Sequence, residues 1–158
     1  MATNDLPQRP NRVRRRPSYL LNQAAHAASR LVTDRLGATG ARRPHYALLA
    51  ALEEFGSASQ ASLGRRLGID RSDIVAIVND LEAHDLVRRT QDPTDRRRNS
   101  VSITEAGVAY LGELDAIMDD IQARLLEPLD EHESATLVSL LTRIVDHHGS
   151  RDDEWKAD

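Results

Sequence analysis

The sequence predicts a mainly α-helical fold with a small two- to three-stranded β-sheet. Apolar residues recur at helical spacing over most of residues 18–148. Residues 86–90 and 100–103 instead alternate β-branched with polar side chains, which is typical of short strands. A chain of 158 residues can bury a sizeable core in one domain. We therefore expect one domain over residues 18–148, a disordered basic arm at residues 1–17 and a polar tail at residues 149–158.

The composition excludes several classes of site. The chain has no cysteine, and therefore no disulfide, thiolate metal site or thiol redox switch. It has no apolar run of membrane-spanning length and no apolar signal segment, which predicts a cytoplasmic protein without a membrane partner. Its histidines and carboxylates form no spaced metal set, and it contains no Gly-rich phosphate loop or nucleophile elbow. We expect no enzyme activity, no metal and no cofactor.

The net charge of −4 conceals two halves of opposite sign. Residues 1–104 contain 17 Arg and no Lys against 11 Asp and Glu, a net charge of +6, whereas residues 105–158 carry −10. A basic half of this kind suits a molecule with one face toward phosphate. The five aromatic residues all lie outside the Arg-rich segment at residues 96–98, which favours duplex over single-stranded nucleic acid as the partner.

The arm at residues 1–17 combines three prolines with five arginines. Proline at this density disfavours a regular helix, and the segment has little apolar surface to offset its ordering entropy. It could be a solvated leader, or it could lie along phosphates or in a DNA minor groove. The arginines are Arg9, Arg12, Arg14, Arg15 and Arg16.

Two helices are predicted before residue 57. The first spans residues 18–36, with Ser18 as its cap, and the second begins at Pro44 and ends at Gly56. Four residues on them could line a ligand pocket, although a structural pair and a surface histidine are the commoner interpretations. These residues are His26, Arg30, His45 and Tyr46.

A helix-turn-helix is predicted over residues 60–84. Its first helix covers residues 60–67 with Ser59 as cap, Gly68 supplies the left-handed turn, and the second helix covers residues 71–84. Asp70 and Asp73 resemble a capping pair for that second helix. Its core positions follow helical spacing and are Ile74, Ile77, Val78 and Leu81.

The opposite face of the second helix is slim and almost free of positive charge. It consists of Ser72, Ala76, Asn79 and Ala83, flanked by Val75 and Asp80. Small side chains let a helix enter a major groove, where Ala and Val can touch thymine methyls and Asn can pair with adenine. Phosphate neutralisation would then come from Arg65, Arg66 and Arg71. The alternative is a packing helix with a plain solvent face.

A basic ribbon follows and favours the DNA interpretation. Two strands at residues 86–90 and 100–103 flank a loop with three successive arginines, and Arg88 lies on the first strand. Adjacent like charges at a hairpin tip are unfavourable unless an anion is bound, and Arg suits the narrow minor groove. Asp95 can hold the Arg97 guanidinium and set its direction.

Residues 60–107 resemble the winged helix-turn-helix of the MarR family of bacterial transcriptional regulators. The resemblance rests on Leu63, the segment Leu67 to Ser72, the segment Val78 to Glu82, Leu86 to Arg89, Asp92 to Arg98, and Val101 to Gly107. The resemblance implies a homodimer in which the N- and C-terminal helices, residues 18–36 and 105–148, interleave. It also implies that Arg97 enters the minor groove and that Asp95 orients its side chain. Val75, Ala76 and Asp80 depart from the family's commoner polar or basic residues, so no base preference carries over.

Two further helices complete the domain. Thr104 is expected to cap a helix to about residue 126, Pro128 ends it, and Asp130 with Glu133 can cap the last helix. The apolar stripes on these helices exceed what one small domain needs, so they are candidates for a dimer interface.

The function expected from these features is that of a dimeric regulator of the repressor type, bound to double-stranded DNA at a pseudo-palindromic operator. The resemblance also implies release by a small aromatic or phenolic effector. Asp73 and Asp80 support an alternative, a winged-helix protein–protein adaptor that does not bind DNA. The candidate DNA-contacting residues are Arg65, Arg71, Ser72, Val75, Ala76, Asn79, Arg88, Arg96, Arg97 and Arg98.

Overall fold

The computed structural model describes residues 10–91 and 99–155. Within them it contains seven helices and a three-stranded sheet, which confirms the predicted fold class. The elements are α1 (Asn11–Arg14), α2 (Pro17–Gly37), α3 (Arg43–Phe55), β1 (Ala58–Ser59), α4 (Gln60–Leu67), α5 (Arg71–Ala83), β2 (Val87–Gln91), β3 (Asn99–Ile103), α6 (Glu105–Leu125) and α7 (Glu131–Trp155).

The first helix of the motif, α4, has the predicted start and end. The Ser59 side chain accepts a hydrogen bond from the Ser62 backbone N–H at 3.2 Å. Gly68 adopts φ 63, the left-handed conformation expected of the turn. A Cβ on Gly64 would lie 2.9 Å from the Ile69 carbonyl oxygen, so a glycine there lets the turn fold back closely onto α4.

The second helix, α5, begins at the predicted residue but not by the predicted cap. Asp70 is the N-cap residue, yet its side chain makes no capping hydrogen bond, so the predicted Asp70–Asp73 pair is wrong. The Asp70 backbone carbonyl instead accepts from the Ile74 N–H at 2.9 Å, and the exposed Asp73 lies in the first turn. A carboxylate there still interacts favourably with the positive end of the helix dipole.

The sheet has the strand order β1–β3–β2, and both pairings are antiparallel. Val87 on β2 is opposite Ile103 on β3, and Ala58 on β1 is opposite Val101. Val87 and Val101 are buried, because alternate side chains of these strands face the core. The strands lie within one residue of the predicted segments.

The junction between β3 and α6 depends on Thr104 and Gly107. Thr104 Oγ1 accepts from the Gly107 N–H at 3.0 Å, which confirms the predicted cap, and donates to the Asp85 carbonyl at 2.6 Å. Asp85 itself has φ 59. A Cβ on Gly107 would lie 2.1 Å from the Leu86 carbonyl oxygen and 2.7 Å from an Ile103 side-chain carbon. Only glycine therefore allows α6 to start this close to the sheet.

At the chain ends, the predicted Ser18 cap is wrong, and helical structure extends into both predicted tails. Residues 11–14 form a short helix, because Pro10 precedes it where no N–H is needed. The next helix starts with Pro17 at its first position and without a side-chain cap, so Ser18 is not the cap. Helix α7 continues past residue 148 to Trp155, beyond the start of the predicted polar tail. The prediction for residues 1–9 lies outside the described residues.

The described chain divides into two compact units at Ile121 and Gln122. The core of the first unit is built from α2 through α6, and its most deeply buried large side chains include Leu36, Leu48, Leu49, Leu52, Leu63, Ile74, Leu114 and Ile121. In the second unit, Asp130 and Glu133 exchange the two capping hydrogen bonds predicted for α7, at 2.8 and 3.0 Å. The apolar residues of α7 are nevertheless exposed: Val138, Leu140, Ile144 and Val145.

No helix within residues 10–91 and 99–155 combines the length and apolar character that crossing a membrane would require.

Candidate nucleic-acid interface

Helix α5 has one buried and one exposed face, divided as its sequence predicts. Ile74, Ile77, Val78 and Leu81 are buried in the core, with Val78 completely inaccessible. The exposed face carries Arg71, Ser72, Val75, Ala76 and Asn79. Because these side chains are small apart from Arg71 at the start of the helix, the backbone of α5 can approach the floor of a major groove closely.

Asp80, one of three acidic residues on this helix, is turned toward the rest of the protein. Its Oδ2 lies 3.0 Å from His45 Nε2 and 3.5 Å from an Arg42 guanidinium nitrogen. Both partners stand at the start of α3, so the three side chains tie the third turn of α5 to that helix. We call Arg42, His45 and Asp80 the anchor cluster. Its charge pairing accounts for an acidic residue at position 80 of this helix.

His45 is favoured as a neutral imidazole by its burial and by the neighbouring Arg42 cation. The backbone N–H of Arg42 donates to His45 Nδ1 at 3.1 Å, so Nδ1 carries no proton and Nε2–H donates to Asp80. Burial lowers the pKa of His45, and the neighbouring Arg42 cation lowers it further against the opposing influence of Asp80. The ring is buried, with 4% of the residue exposed, so the expectation of a surface histidine is wrong.

A second ionic contact joins the wing strands to α5. The backbone N–H of Arg89 donates to Glu82 Oε1 at 3.0 Å, and its guanidinium donates to Glu82 Oε2. The other guanidinium nitrogen donates to Asn79 Oδ1 at 2.6 Å. The hydrogen bond from the Arg89 backbone is the main reason that the pKa of Glu82 lies below its ordinary value. Glu82 is therefore ionised at neutral pH, and β2 is fixed to α5.

Several exposed arginines surround α5. Arg65 and Arg66 lie on α4, and the Arg66 guanidinium sits 4.1 Å above the ring of Phe55, a cation–π contact that restricts its motion. Arg71 stands at the start of α5, and Arg88 projects from β2. Together they can supply the positive charge that the exposed face of α5 lacks. The wing residues Asp95, Arg96, Arg97 and Arg98 lie outside the described residues.

The four predicted effector-binding residues are not gathered around one cavity. A cleft of about 350 Å³ is lined by His45, Asp80, His84 and Tyr110 among others, but not by His26, Arg30 or Tyr46. His26 and Arg30 are exposed on α2, and the Tyr46 hydroxyl donates to Asp115 Oδ1 at 2.8 Å. An effector pocket built from these four side chains therefore stays a prediction.

Three residues of this arrangement had not been selected from the sequence. Arg42 and Arg89 bind carboxylates on α5, and Phe55 stacks on Arg66. The contact between Glu82 and Arg89 could have been predicted, because the two residues have opposite charges and lie seven positions apart across a predicted turn. No local pattern marks Arg42, because its partner is 38 positions away.

A helix-turn-helix whose second helix is followed by an antiparallel strand pair defines a winged helix-turn-helix protein. A family model described as MarR family matches residues 39–98, which contain the helix-turn-helix and β2. A crystal structure of a probable transcriptional regulator from Pseudomonas aeruginosa is 34% identical, covers 83% of this chain and 98% of its own, and superposes with a TM-score of 0.73. The chain belongs to the MarR family.

Two curated relatives are regulators. A putative transcriptional regulatory protein for the hcr operon of Thauera aromatica is 37% identical over 103 residues, which is 63% of this chain and 60% of that protein. The HTH-type transcriptional repressor NicR of Pseudomonas putida is 33% identical over 101 residues, 64% of each chain. The matched segments thus span less than two thirds of either relative.

Proposed function

We propose that this protein is a transcriptional regulator that binds double-stranded DNA through α5 and the wing. The observation that carries the proposal is the exposed face of α5, which is narrow, uncharged in its centre and bordered by the exposed Arg65, Arg71 and Arg88. The acidic Asp80 and Glu82 are both paired with cations of the protein itself, so they do not oppose an approaching phosphate backbone.

The proposed regulator acts as a homodimer. Val138 and Val145 of α7 are 57% and 66% exposed in the single chain, and Leu20 of α2 is 53% exposed. Apolar side chains repeated along helices in this way are typical of surfaces that a second copy covers. Two α5 helices related by a twofold axis would enter successive major grooves about one helical turn apart, on a pseudo-palindromic operator.

The test is selection of bound fragments from genomic DNA, followed by affinity measurements on a selected site at increasing salt. The affinity of a protein that neutralises phosphates falls steeply as salt rises, because counterions are released on binding. Arg71→Ala should weaken binding of all sequences and reduce the salt slope by about one. Arg43→Ala, an exposed arginine at the start of α3 and outside α5, the wing and α7, serves as the matched control and should bind like the unmodified protein.

The wing supplies a second prediction of this proposal. Arg97→Ala should cost about 1–3 kcal/mol of binding free energy if Arg97 enters the minor groove as proposed. Asp95→Ala should weaken binding less, because it would only orient that guanidinium. Retardation of no fragment at any salt would contradict the proposal and favour a protein–protein adaptor.

Release by a small aromatic effector is a further part of the proposal. The cleft beside the anchor cluster supports it, because a ligand that contacts His45 or Asp80 there would bear on the position of α5. A thermal-shift screen with small aromatic acids tests it. A hit must raise the midpoint of unfolding and also weaken DNA binding; a screen without hits would leave regulation by such a ligand unsupported.

A further inference from the structure

Asn79 is the amide on the exposed face of α5, and Arg89 determines which way that amide is turned. Arginine carries only donors, so the atom that faces its guanidinium at 2.6 Å must be the amide oxygen Oδ1. Arg89 is itself fixed by the backbone and guanidinium contacts to Glu82. The amide Nδ2 has no hydrogen-bond partner among residues 10–91 and 99–155, and Asn79 is exposed.

This orientation changes what Asn79 can recognise. A bidentate contact with adenine needs the amide oxygen to accept from N6 while the amide nitrogen donates to N7. Here the oxygen already accepts from a cation. A carbonyl oxygen has a second lone pair, but adenine N6 would bring another positively polarised donor beside the guanidinium. Asn79 is therefore left mainly with its two N–H donors.

We propose that Arg89 is a specificity-determining residue, which converts Asn79 into a hydrogen-bond donor that prefers guanine to adenine. Guanine presents two adjacent acceptors, N7 and O6, in the major groove, and the amide N–H groups can reach both. The positive charge of Arg89 beside the amide also suits this electronegative edge. The inference rests on the proposed DNA-binding function and reverses the adenine pairing that Asn79 alone would suggest.

The experiment begins with binding-site selection on random duplex DNA for the full-length protein and for Asn79→Ala. The base pair at which Asn79→Ala loses its preference is the one that Asn79 contacts. We expect this pair to contain guanine, preferred over adenine by about tenfold in affinity. An A·T pair at that position, or no change in preference with Asn79→Ala, would overturn the proposal.

The role of Arg89 is tested by the double variant Arg89→Met/Glu82→Gln, which removes the guanidinium without leaving an unpaired carboxylate. With Oδ1 released, the preference at that base pair should move from guanine toward adenine. Arg88→Met is the matched control, because Arg88 is the neighbouring exposed arginine of β2. It should weaken binding to all sequences alike and leave the guanine preference intact. A guanine preference that persists in the double variant contradicts the role of Arg89.

A second measurement uses the unmodified protein, so it does not depend on how the double variant folds. Replacing the guanine at the identified pair by 7-deazaguanine removes N7 and should weaken binding by the unmodified protein several-fold, whereas the same replacement at a guanine insensitive to Asn79→Ala should not. Equal affinity for both modified sites would overturn the inference. The experiment distinguishes this inference from the proposed function. If the protein retards no DNA, the proposed DNA-binding function is wrong. If it binds DNA in a salt-dependent way but adenine lies opposite Asn79, only the inference about Arg89 and Asn79 is wrong.

Discussion

Removal of the Asp80 carboxylate should destabilise the folded protein through the buried ring of His45. The His45 Nε2–H donates to Asp80 Oδ2 at 3.0 Å, and 5% of the His45 side chain is exposed, so water cannot readily replace the acceptor. Arg42 cannot replace it either, because a guanidinium has only donors. A buried donor left without a partner costs about 1–3 kcal/mol.

The expected magnitude for Asp80→Ala follows from two opposing contributions. Alanine has a better helix propensity than aspartate, which returns about 0.5 kcal/mol, so the free energy of unfolding should fall by about 0.5–2.5 kcal/mol. In a chain of 158 residues this corresponds to a drop in Tm of about 1–10 °C. Asp80→Asn is the matched control, because its amide oxygen can still accept from Nε2–H and should retain most of the stability.

The assay is thermal or urea unfolding at one fixed protein concentration, because the proposed dimerisation would make the midpoint depend on concentration. Equal Tm values for Asp80→Ala and the unmodified protein would show that the Asp80 contact does not stabilise the fold. Equal losses in Asp80→Ala and Asp80→Asn would show that the charge, and not the acceptor to His45, is what matters.

Three other predictions concern pH, packing and assembly. Burial holds the pKa of His45 below its ordinary value of 6.5, so the folded protein binds fewer protons there than the unfolded chain. The stability contributed by neutral His45 should therefore be full above that pH and fall as the pH drops below it. His45→Gln, which can still cap α3, should show a smaller fall in Tm between about pH 7.5 and about pH 5.5. Gly107→Ala should lower the free energy of unfolding by about 3 kcal/mol, because the added Cβ would clash with the Leu86 carbonyl. The control is Gly112→Ala on the same helix, where an added Cβ meets nothing within 4 Å. In chemical denaturation the control should leave the free energy of unfolding unchanged or raise it. Val145→Glu should shift the protein from dimer to monomer in light scattering, and an unchanged mass would argue against α7 as the interface.

The elements that sequence predicted best are those that depend on local periodicity. Ile74, Ile77, Val78 and Leu81 lie on one side of a helix whatever it packs against, so their burial followed from spacing alone. The predictions for Gly68 and Ser59 are confirmed for the same reason, because the left-handed turn and the start of a helix depend on local sequence.

Predictions failed where two local signals competed or where a partner is distant in sequence. Pro17 and Ser18 both suit a helix start, and the ring of Pro17 at the first helical position prevails over a serine cap. His45 is buried because Asp80, 35 positions away, supplies the acceptor for its second nitrogen. No spacing rule within α3 could indicate that contact. The Asn79–Arg89 bond likewise depends on how β2 is placed beside α5.

The carboxylates of α5 bear on the choice between a DNA-binding protein and an adaptor. Asp80 and Asp73 were the features that favoured an adaptor, since an acidic helix should repel phosphate. The structure places the carboxylate of Asp80 between His45 and Arg42, and that of Glu82 against Arg89. Both charges are therefore compensated within the protein.

Asp73 is the remaining acid, and it lies in the first turn of α5, where the helix dipole offsets part of its charge. The residues left for a partner along the exposed face are then Ser72, Val75, Ala76 and Asn79, a set with two hydrogen-bonding groups and two small apolar groups. Such a set matches base edges and thymine methyls better than it matches the large aromatic or Arg anchors of protein–protein interfaces. The compensated acids thus remove the main argument for an adaptor and leave a surface suited to a major groove.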